Sequence, residues 1–130
     1  MDVKIQSDHV YFPENHIFNE WGRLYYKAGE KMGKTFAISC GHTMKETMEK
    51  VGFVDVEEVK FKVPCHAWPK DPQLQKAGLL LFTMLDQSLE GFGLYLFTTL
   101  FGWSKADVLA LCSKMRSEMK KKTNCGWIAT

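Results

Sequence analysis

A long and strongly apolar stretch, from about residue 74 to residue 100, most limits how this chain can fold. Its only strongly polar cluster is Asp86, Gln87 and Glu90, which fall on one stripe of a helix. Acidic side chains near the middle of a membrane span are costly, so the stretch does not predict a transmembrane helix. It predicts a helix that is buried in a core or in a dimer interface. We expect Gly91-Phe92-Gly93 to mark a kink or a close approach of another element.

Apolar residues at steps of three and four predict three further helices. The first runs from residue 16 to residue 32 and has Asn15 as its cap. The second opens with the capping box Thr43-x-x-Glu46, and the last with Ser104-x-x-Asp107. The residues predicted to face inward are Met44, Met48 and Val51 in the second helix and Val108, Leu111, Cys112, Met115 and Met119 in the last.

The clearest strand signal is the alternation of apolar and charged residues from Phe53 to Val63. The alternation changes parity at Glu57-Glu58, and a one-residue bulge there would keep the apolar side chains on one face. Shorter strands are predicted at residues 3–5 and 126–128. The sheet is therefore expected to be small.

Length and charge narrow the class of protein. The chain has 130 residues, which suits one domain spanning residues 1–130. Seventeen Lys and Arg against fifteen Asp and Glu give a formal net charge of +2, which is too balanced to indicate a nucleic-acid partner or a membrane surface. Aromatic residues make up 13% of the chain, which indicates either an apolar pocket or a dense core and favours neither.

Four cysteines lie at positions 40, 65, 112 and 125, and their spacing matches no finger or ribbon pattern, so no metal site is predicted. The opening sequence MDVKIQSDHV lacks the basic region and apolar run of a secretory signal. We therefore expect free thiols and a cytoplasmic protein.

Four motifs in a fixed order carry a resemblance to a known family: Gly52-Phe-x-Asp55-Val56, Trp68-Pro-Lys-Asp71, Leu96-Phe-Thr98 and Gly102-Trp-Ser104. Together they resemble the C-terminal half of the fungal class I S-adenosylmethionine-dependent methyltransferases of secondary metabolism. Residues 17–35 resemble the substrate-lid helix of that family. Each motif alone is weak, and their ordered combination is fairly specific.

The chain departs from that family at the cofactor site. In the family a glycine-rich turn after the first strand holds the cofactor, and here no Gly-x-Gly follows a strand and opens a helix. The resemblance therefore implies a methyltransferase-like remnant without the cofactor-binding half and without a cofactor. We expect a mostly helical α+β fold, with about four helices and a two- to three-stranded antiparallel sheet. A homodimer is expected to cover the exposed apolar face, with residues 78–100 as the obvious interface.

The function predicted first is a cofactor-independent cyclisation or isomerisation, pericyclic steps included, of a small apolar natural-product intermediate. Asp86, if buried, and His16 are the candidate catalytic groups, because each can move a proton. The residues that the resemblance assigns to the substrate pocket are Trp21, Tyr25, Trp68, Glu90 and Tyr95.

Several alternatives stay open. The chain could be a non-catalytic interaction or regulatory subunit that docks on a pathway enzyme or a full-length methyltransferase. It could also be a methyltransferase whose cofactor-binding half is supplied by another chain. At the residue level, the acidic stripe could face solvent or pair with a basic side chain, and His16 could be a surface histidine.

Overall fold

The computed structural model describes residues 2–130 and contains four α-helices and a two-stranded antiparallel sheet. The mostly helical α+β fold predicted from the sequence is thereby confirmed. A short 3-10 turn over Lys122–Asn124 joins the last helix to the second strand. The helices are α1 (Ile17–Lys31), α2 (Thr43–Lys50), α3 (Pro72–Phe101) and α4 (Lys105–Lys120), and the strands are β1 (Lys62–Pro64) and β2 (Trp127–Ala129).

The sheet ties the two ends of the described chain together. Strand β1 pairs with β2 in the register Val63 opposite Ile128, and Phe61 and Thr130 exchange both backbone hydrogen bonds at 2.9 and 3.0 Å. On the other side of β2, Gln6 forms an antiparallel bridge with Trp127. The residues predicted at both ends as short strands therefore meet on one small sheet, although only residues 127–129 form a regular strand there.

The long strand predicted from Phe53 to Val63 is wrong over most of its length. Only Lys62–Pro64 forms a strand, and residues 53–61 are irregular and largely exposed, so no bulge at Glu57-Glu58 is formed. Asp55 has a φ of 55°, which breaks the extended backbone. Alternation produces a strand only where a neighbouring strand satisfies the backbone N–H and C=O groups. No strand among residues 2–130 lies beside residues 53–60.

Helix α2 forms where it was predicted but buries nothing. The Thr43 hydroxyl donates to the carbonyl of Cys40 instead of capping the helix, and the N-cap position belongs to His42. The inward orientation predicted for three apolar residues of α2 and its C-cap is wrong, because no other helix described within residues 2–130 packs against α2. Those exposed residues are Met44, Met48 and Val51.

Helices α3 and α4 form an antiparallel hairpin that turns at Gly102, whose φ of 66° suits glycine. The capping box predicted at Ser104 and Asp107 is present. All five residues predicted to face inward from α4 are buried. None of the helices described over residues 2–130 is long and apolar enough to cross a membrane.

The close approach on α3 lies earlier than predicted. A Cβ atom at Gly78 would overlap the carbonyl group of His66, which crosses the helix just after β1. A Cβ at Gly93 would make only ordinary contacts with Phe97 and Val108, and one at Gly91 would meet no atom within 4 Å. Of the three glycines on α3, Gly78 therefore has the closest neighbouring backbone, and the sequence pattern did not single it out.

Candidate functional site

A half-open apolar cavity of about 250 Å³ lies where α1, α3, α4 and the sheet meet. Helix α1 contributes Trp21 and Tyr25, α3 contributes Leu85 and Leu89, and the inner face of α4 contributes methionines such as Met115. The volume is just below the range usual for small-molecule sites. The cavity suits a small apolar molecule or the apolar part of a larger one.

An aromatic wall forms one side of this cavity. Trp21 and Tyr25 are four residues apart on α1, so both face the core. Their ring centroids are 5.1 Å apart, and each ring packs edge-on against Phe97 of α3, at 5.9 and 5.4 Å. Edge-to-face packing of this kind fixes ring orientations. The three rings therefore hold one another in place along the wall.

The Tyr25 hydroxyl is the polar group that this wall leaves without a partner. Among residues 2–130, no group hydrogen-bonds to this buried oxygen. Burial, and to a smaller extent the nearby Cys112 thiol, raises the pKa of Tyr25, so the hydroxyl keeps its proton across the physiological range. A buried hydroxyl without a partner is costly. An oxygen acceptor on a molecule in the cavity would satisfy it only by reaching this oxygen, which is itself buried.

Asp2 is the second polar residue at the cavity, and its carboxylate is already engaged. Its Oδ1 accepts hydrogen bonds from the Tyr26 hydroxyl at 2.9 Å and from the Val3 amide at 2.7 Å. Asp2 also borders a separate, more polar hollow of about 510 Å³, which Tyr26, Cys40 and Lys60 help to line. Asp2 therefore holds the N-terminal segment in place and marks the polar end of the cavity.

The acidic stripe on α3 is bound by an arginine. Arg116 of α4 donates from Nε to Asp86 Oδ1 at 3.0 Å and from Nη1 to Glu90 Oε1 at 3.0 Å. Its other terminal nitrogen donates to the Asp86 carbonyl, also at 3.0 Å. Hydrogen bonding to Glu90 is the main cause that raises the pKa of Arg116. The carboxylate side chains are 38% and 43% exposed, so the burial on which a catalytic Asp86 depended is absent.

His16 is the N-cap of α1. Its Nδ1 accepts a hydrogen bond from the Phe18 amide at 3.2 Å, and its Nε2 lies 3.5 Å from Glu118 Oε2. The tautomer with hydrogen on Nε2 satisfies both contacts. The ring also stacks on Phe12, with centroids 4.5 Å apart. His16 does not line the apolar cavity.

The remaining residues assigned to the pocket lie apart from it. Trp68, in the proline loop before α3, donates from its indole nitrogen to the Gly126 carbonyl at 2.8 Å and borders a surface groove. Tyr95 lies on the outer face of α3, because it is two residues from the buried Gly93 and Phe97 and so faces away from the core. Of the seven predicted site residues, the structure brings only Trp21 and Tyr25 into the apolar cavity. The functional roles of the other five stay predictions.

Three polar residues near this region were not identified from the sequence: Asp2, Tyr26 and Arg116. A signal for Arg116 was available, since α3 and α4 form a hairpin about residue 103 and residues equidistant from the turn lie opposite each other. Position 116 then faces position 90. No comparable local signal pointed to Asp2 and Tyr26, which are far apart along the chain.

The described residues do not fit S-adenosylmethionine. Gly91 and Gly93 lie inside α3, where the backbone N–H groups belong to the helix rather than to a phosphate- or nucleotide-binding turn. The sheet is antiparallel and has no parallel strands whose carboxyl ends could form such a site. Within residues 2–130 there is also no cluster of three or more potential metal ligands.

Comparisons with known proteins show that the chain is similar to fungal methyltransferases. The chain is 33% identical over 91 residues to the methyltransferase pytC of Aspergillus terreus, which covers 70% of this chain and 28% of the relative. It is 26% identical over 115 residues to the probable methyltransferase tdiE of Emericella nidulans, covering 88% of this chain and 36% of the relative. No protein-family model and no solved structure matches the chain.

A regulator is also among the relatives. The secondary metabolism regulator LAE1 of Cochliobolus heterostrophus is 22% identical over 120 residues, which is 92% of this chain and 38% of the relative. The chain thus spans only about a third of the length of these three proteins. As the resemblance predicted, the chain is a homologue of one segment of the fungal secondary-metabolism methyltransferases and regulators.

Proposed function

We propose that this protein acts in fungal secondary metabolism and binds a small apolar intermediate in the cavity between α1, α3 and α4. The relatives supply the context, because two are named as methyltransferases and a third as a secondary metabolism regulator. The observation that carries the proposal is the buried Tyr25 hydroxyl, which has no partner within residues 2–130 and belongs to a wall that is otherwise apolar. A ligand with one oxygen acceptor and an apolar body would complement it.

The proposed reaction is a cofactor-independent cyclisation or isomerisation. Such a reaction leaves the molecular formula of the substrate unchanged and needs no co-reactant. The protein has to select a reactive conformation and polarise one group of the substrate. The packed pair of Trp21 and Tyr25 supplies the shape. The protonated Tyr25 hydroxyl donates a hydrogen bond to a carbonyl oxygen, and this bond strengthens as negative charge develops there.

This reaction class can be tested by deleting the gene in the organism that encodes the chain. The measurement is the mass of the compound that accumulates, compared with the mass of the lost product. If the protein is a cyclase or isomerase, the deletion strain accumulates an isomer with the same mass as the lost product. A methyltransferase assembled with a second chain would leave a compound lighter by CH₂. A general loss of the product and all its precursors would contradict a catalytic role.

Binding can be tested with two bicyclic probes that differ in one oxygen. We expect 1-tetralone, which carries a carbonyl, to bind more tightly than tetralin by about three- to tenfold, the value of one hydrogen bond. Tyr25→Phe should remove that difference and leave tetralin binding unchanged, whereas Tyr26→Phe should preserve it. Equal affinity of the two probes for the unmodified protein, measured by calorimetry, would contradict the role of Tyr25.

The predicted catalytic roles of Asp86 and His16 can be examined with the natural substrate once the deletion strain provides it. Asp86→Ala and His16→Ala test whether either group takes part in turnover. Unchanged turnover in both variants would remove them from the mechanism. Far-ultraviolet circular dichroism serves as the control, because Asp86 pairs with Arg116 and His16 caps α1.

A non-catalytic interaction subunit is the second candidate function. It is favoured by the exposed apolar side chains of residues 51–61, among them Val54 and Phe61, and by the regulators among the relatives. Such a protein would dock on a pathway enzyme or a full-length methyltransferase. In the deletion experiment it predicts loss of the partner's activity with no accumulated isomer.

A further inference from the structure

The outer face of α3 carries apolar residues that no other part of the described chain covers. Leu80, Met84 and Tyr95 are 64%, 42% and 66% exposed, and Gly91 lies between them on the same side of the helix. We call Leu80, Met84, Gly91 and Tyr95 the outer stripe. It extends over about 22 Å of helix.

The outer stripe has no charge, although the uncharged polar residue Gln87 lies on the same side of the helix at its middle. The only acidic residues of α3, Asp86 and Glu90, turn toward α4 and pair with Arg116. The nearest basic residue on the helix is Lys76, one turn before Leu80. A helix face in permanent contact with water usually carries charged side chains, and a contiguous apolar face marks an interface.

The spacing of the outer stripe is self-complementary. When two copies of one helix pack antiparallel about a twofold axis, facing residues have numbers with a constant sum. With the axis between Gln87 and Ser88, Leu80 faces Tyr95 of the second copy and Met84 faces Gly91. A large side chain thus meets a glycine whose Cβ position is open space.

We propose that the outer stripe is the interface of a homodimer in which the two α3 helices pack antiparallel in this register. A stable interface buries at least about 1,200 Å² in total, so the contact has to cover exposed flanking side chains, such as Phe92 at 53% exposure, together with the stripe. Because the contact pairs the stripe with itself, a second copy complements it without any further protein.

The same interface bears on the cavity. Met84 belongs to the outer stripe and also lines the mouth of the cavity. A second copy packed on α3 would therefore fix one wall of the cavity. The proposal of a dimer does not depend on the proposed reaction, because it is argued only from the exposed residues of α3.

Sedimentation equilibrium of the full chain tests the assembly. We expect a dimer at micromolar concentrations, and both Leu80→Lys and Tyr95→Lys should raise its dissociation constant about thirtyfold or more. Val54→Lys is the matched control, because it places the same charge on another exposed apolar residue and should leave the dimer intact. Circular dichroism shows whether each variant is folded. A monomer at about 100 μM, or a dimer that Val54→Lys dissociates and the stripe variants do not, would overturn the proposal.

The register has its own test. In a Cys40→Ser, Cys125→Ser background, the substitution Gln87→Cys places a thiol next to the twofold axis, and mild oxidation should give a covalent dimer. The matched variant Lys76→Cys should give none, because the two copies of residue 76 lie about 34 Å apart along the paired helices. Equal cross-linking by both variants, or cross-linking by Lys76→Cys alone, contradicts the antiparallel register.

Discussion

The hydroxyl groups of two neighbouring tyrosines on α1 differ in their hydrogen bonding. The Tyr26 hydroxyl donates to the buried carboxylate of Asp2 at 2.9 Å, whereas the buried Tyr25 hydroxyl has no partner within residues 2–130. A hydrogen bond to a charged group is worth more than a neutral one, and a buried polar group without a partner has a cost. The two residues should therefore respond differently to loss of the hydroxyl.

We predict that Tyr26→Phe lowers the free energy of unfolding by about 1.5–3 kcal/mol. Tyr25→Phe should leave it unchanged or raise it slightly, since the substitution removes only the hydroxyl that lacks a partner. Urea denaturation of both variants measures this difference. Equal destabilisation by the two substitutions would show that the Tyr25 hydroxyl has a partner in the folded protein.

The four thiols should fall into two reactivity classes. Cys65 and Cys112 are buried, and Cys40 and Cys125 are partly exposed. Burial raises the pKa of Cys65 to about 12 and also raises that of Cys112, so neither forms thiolate near neutral pH. With an aromatic disulfide reagent at pH 8, we expect two thiols to react quickly in the native protein and four after denaturation. Rapid reaction of all four in the native state would contradict the burial of Cys65 and Cys112.

At the scale of elements, two glycines of α3 lie in different surroundings. Gly78 permits the backbone at His66 to cross the helix, whereas Gly91 faces open space. Glycine in a helix interior is otherwise unfavourable by roughly 0.5–1 kcal/mol relative to alanine. Only the first of these glycines is required by the fold of a single copy.

We predict that Gly78→Ala destabilises the protein by about 1–3 kcal/mol or more, because the added methyl group overlaps the His66 carbonyl. Gly91→Ala should stabilise the isolated protomer by up to about 1 kcal/mol. Thermal denaturation at low protein concentration, where association does not contribute, measures both. A tolerated alanine at position 78 would mean that the crossing at His66 is looser than the structure indicates.

Residues 53–61 do not form the predicted strand, and the reason is again a contact between elements. Apolar and charged residues alternate there in two stretches on either side of Glu57-Glu58, yet β1 begins only at Lys62, next to its partner β2. A pattern sets which side chains share a face, and a neighbouring backbone decides whether a strand exists. The exposed apolar residues of this segment follow from the missing neighbour.

At the scale of the whole molecule, Glu118 joins the start of α1 to the end of α4. Its carboxylate accepts hydrogen bonds from Lys121 at 2.5 Å and from Asn124 at 3.1 Å and lies 3.5 Å from His16. The hydrogen bond from Lys121 is the largest cause of the lowered pKa of Glu118. Burial opposes it by raising the pKa, and the hydrogen bond from Asn124 lowers the pKa further. This carboxylate therefore stabilises the fold more when it is ionised than when it is protonated.

The resulting pH dependence has a definite sign. Since the pKa of Glu118 is lower in the folded protein than its ordinary 4.5, the stabilisation is present above pH 4.5 and is lost as the pH falls through the folded-state pKa. We expect the melting temperature of the unmodified protein to fall more steeply below pH 4.5 than that of Glu118→Gln. Glu30→Gln, an equal charge change on an exposed side chain of α1, should keep the steep dependence. Parallel curves for all three proteins would contradict the role of Glu118.

Much of the fold could be predicted from local signals, and the candidate site only in part. The capping box at Ser104 and the inward face of α4 follow from spacing along one helix, and the structure confirms both. The family resemblance assigned Trp21 and Tyr25 to a substrate pocket, and both line the cavity. Asp86 was linked to catalysis because the sequence shows its residue type and face, but not the arginine that binds it.

The sequence by itself determined to within a residue or two where the helices begin, which of their faces are apolar, and that the sheet would be small and antiparallel. These properties depend on hydrogen bonds and packing between residues a few positions apart. Only the tertiary structure decided that Arg116 binds the acidic stripe, that Tyr26 binds Asp2 while Tyr25 has no partner, and that the segment before β1 has no neighbouring strand. Each of these depends on groups that are distant in the chain, and their positions are set by how the elements pack rather than by any local pattern.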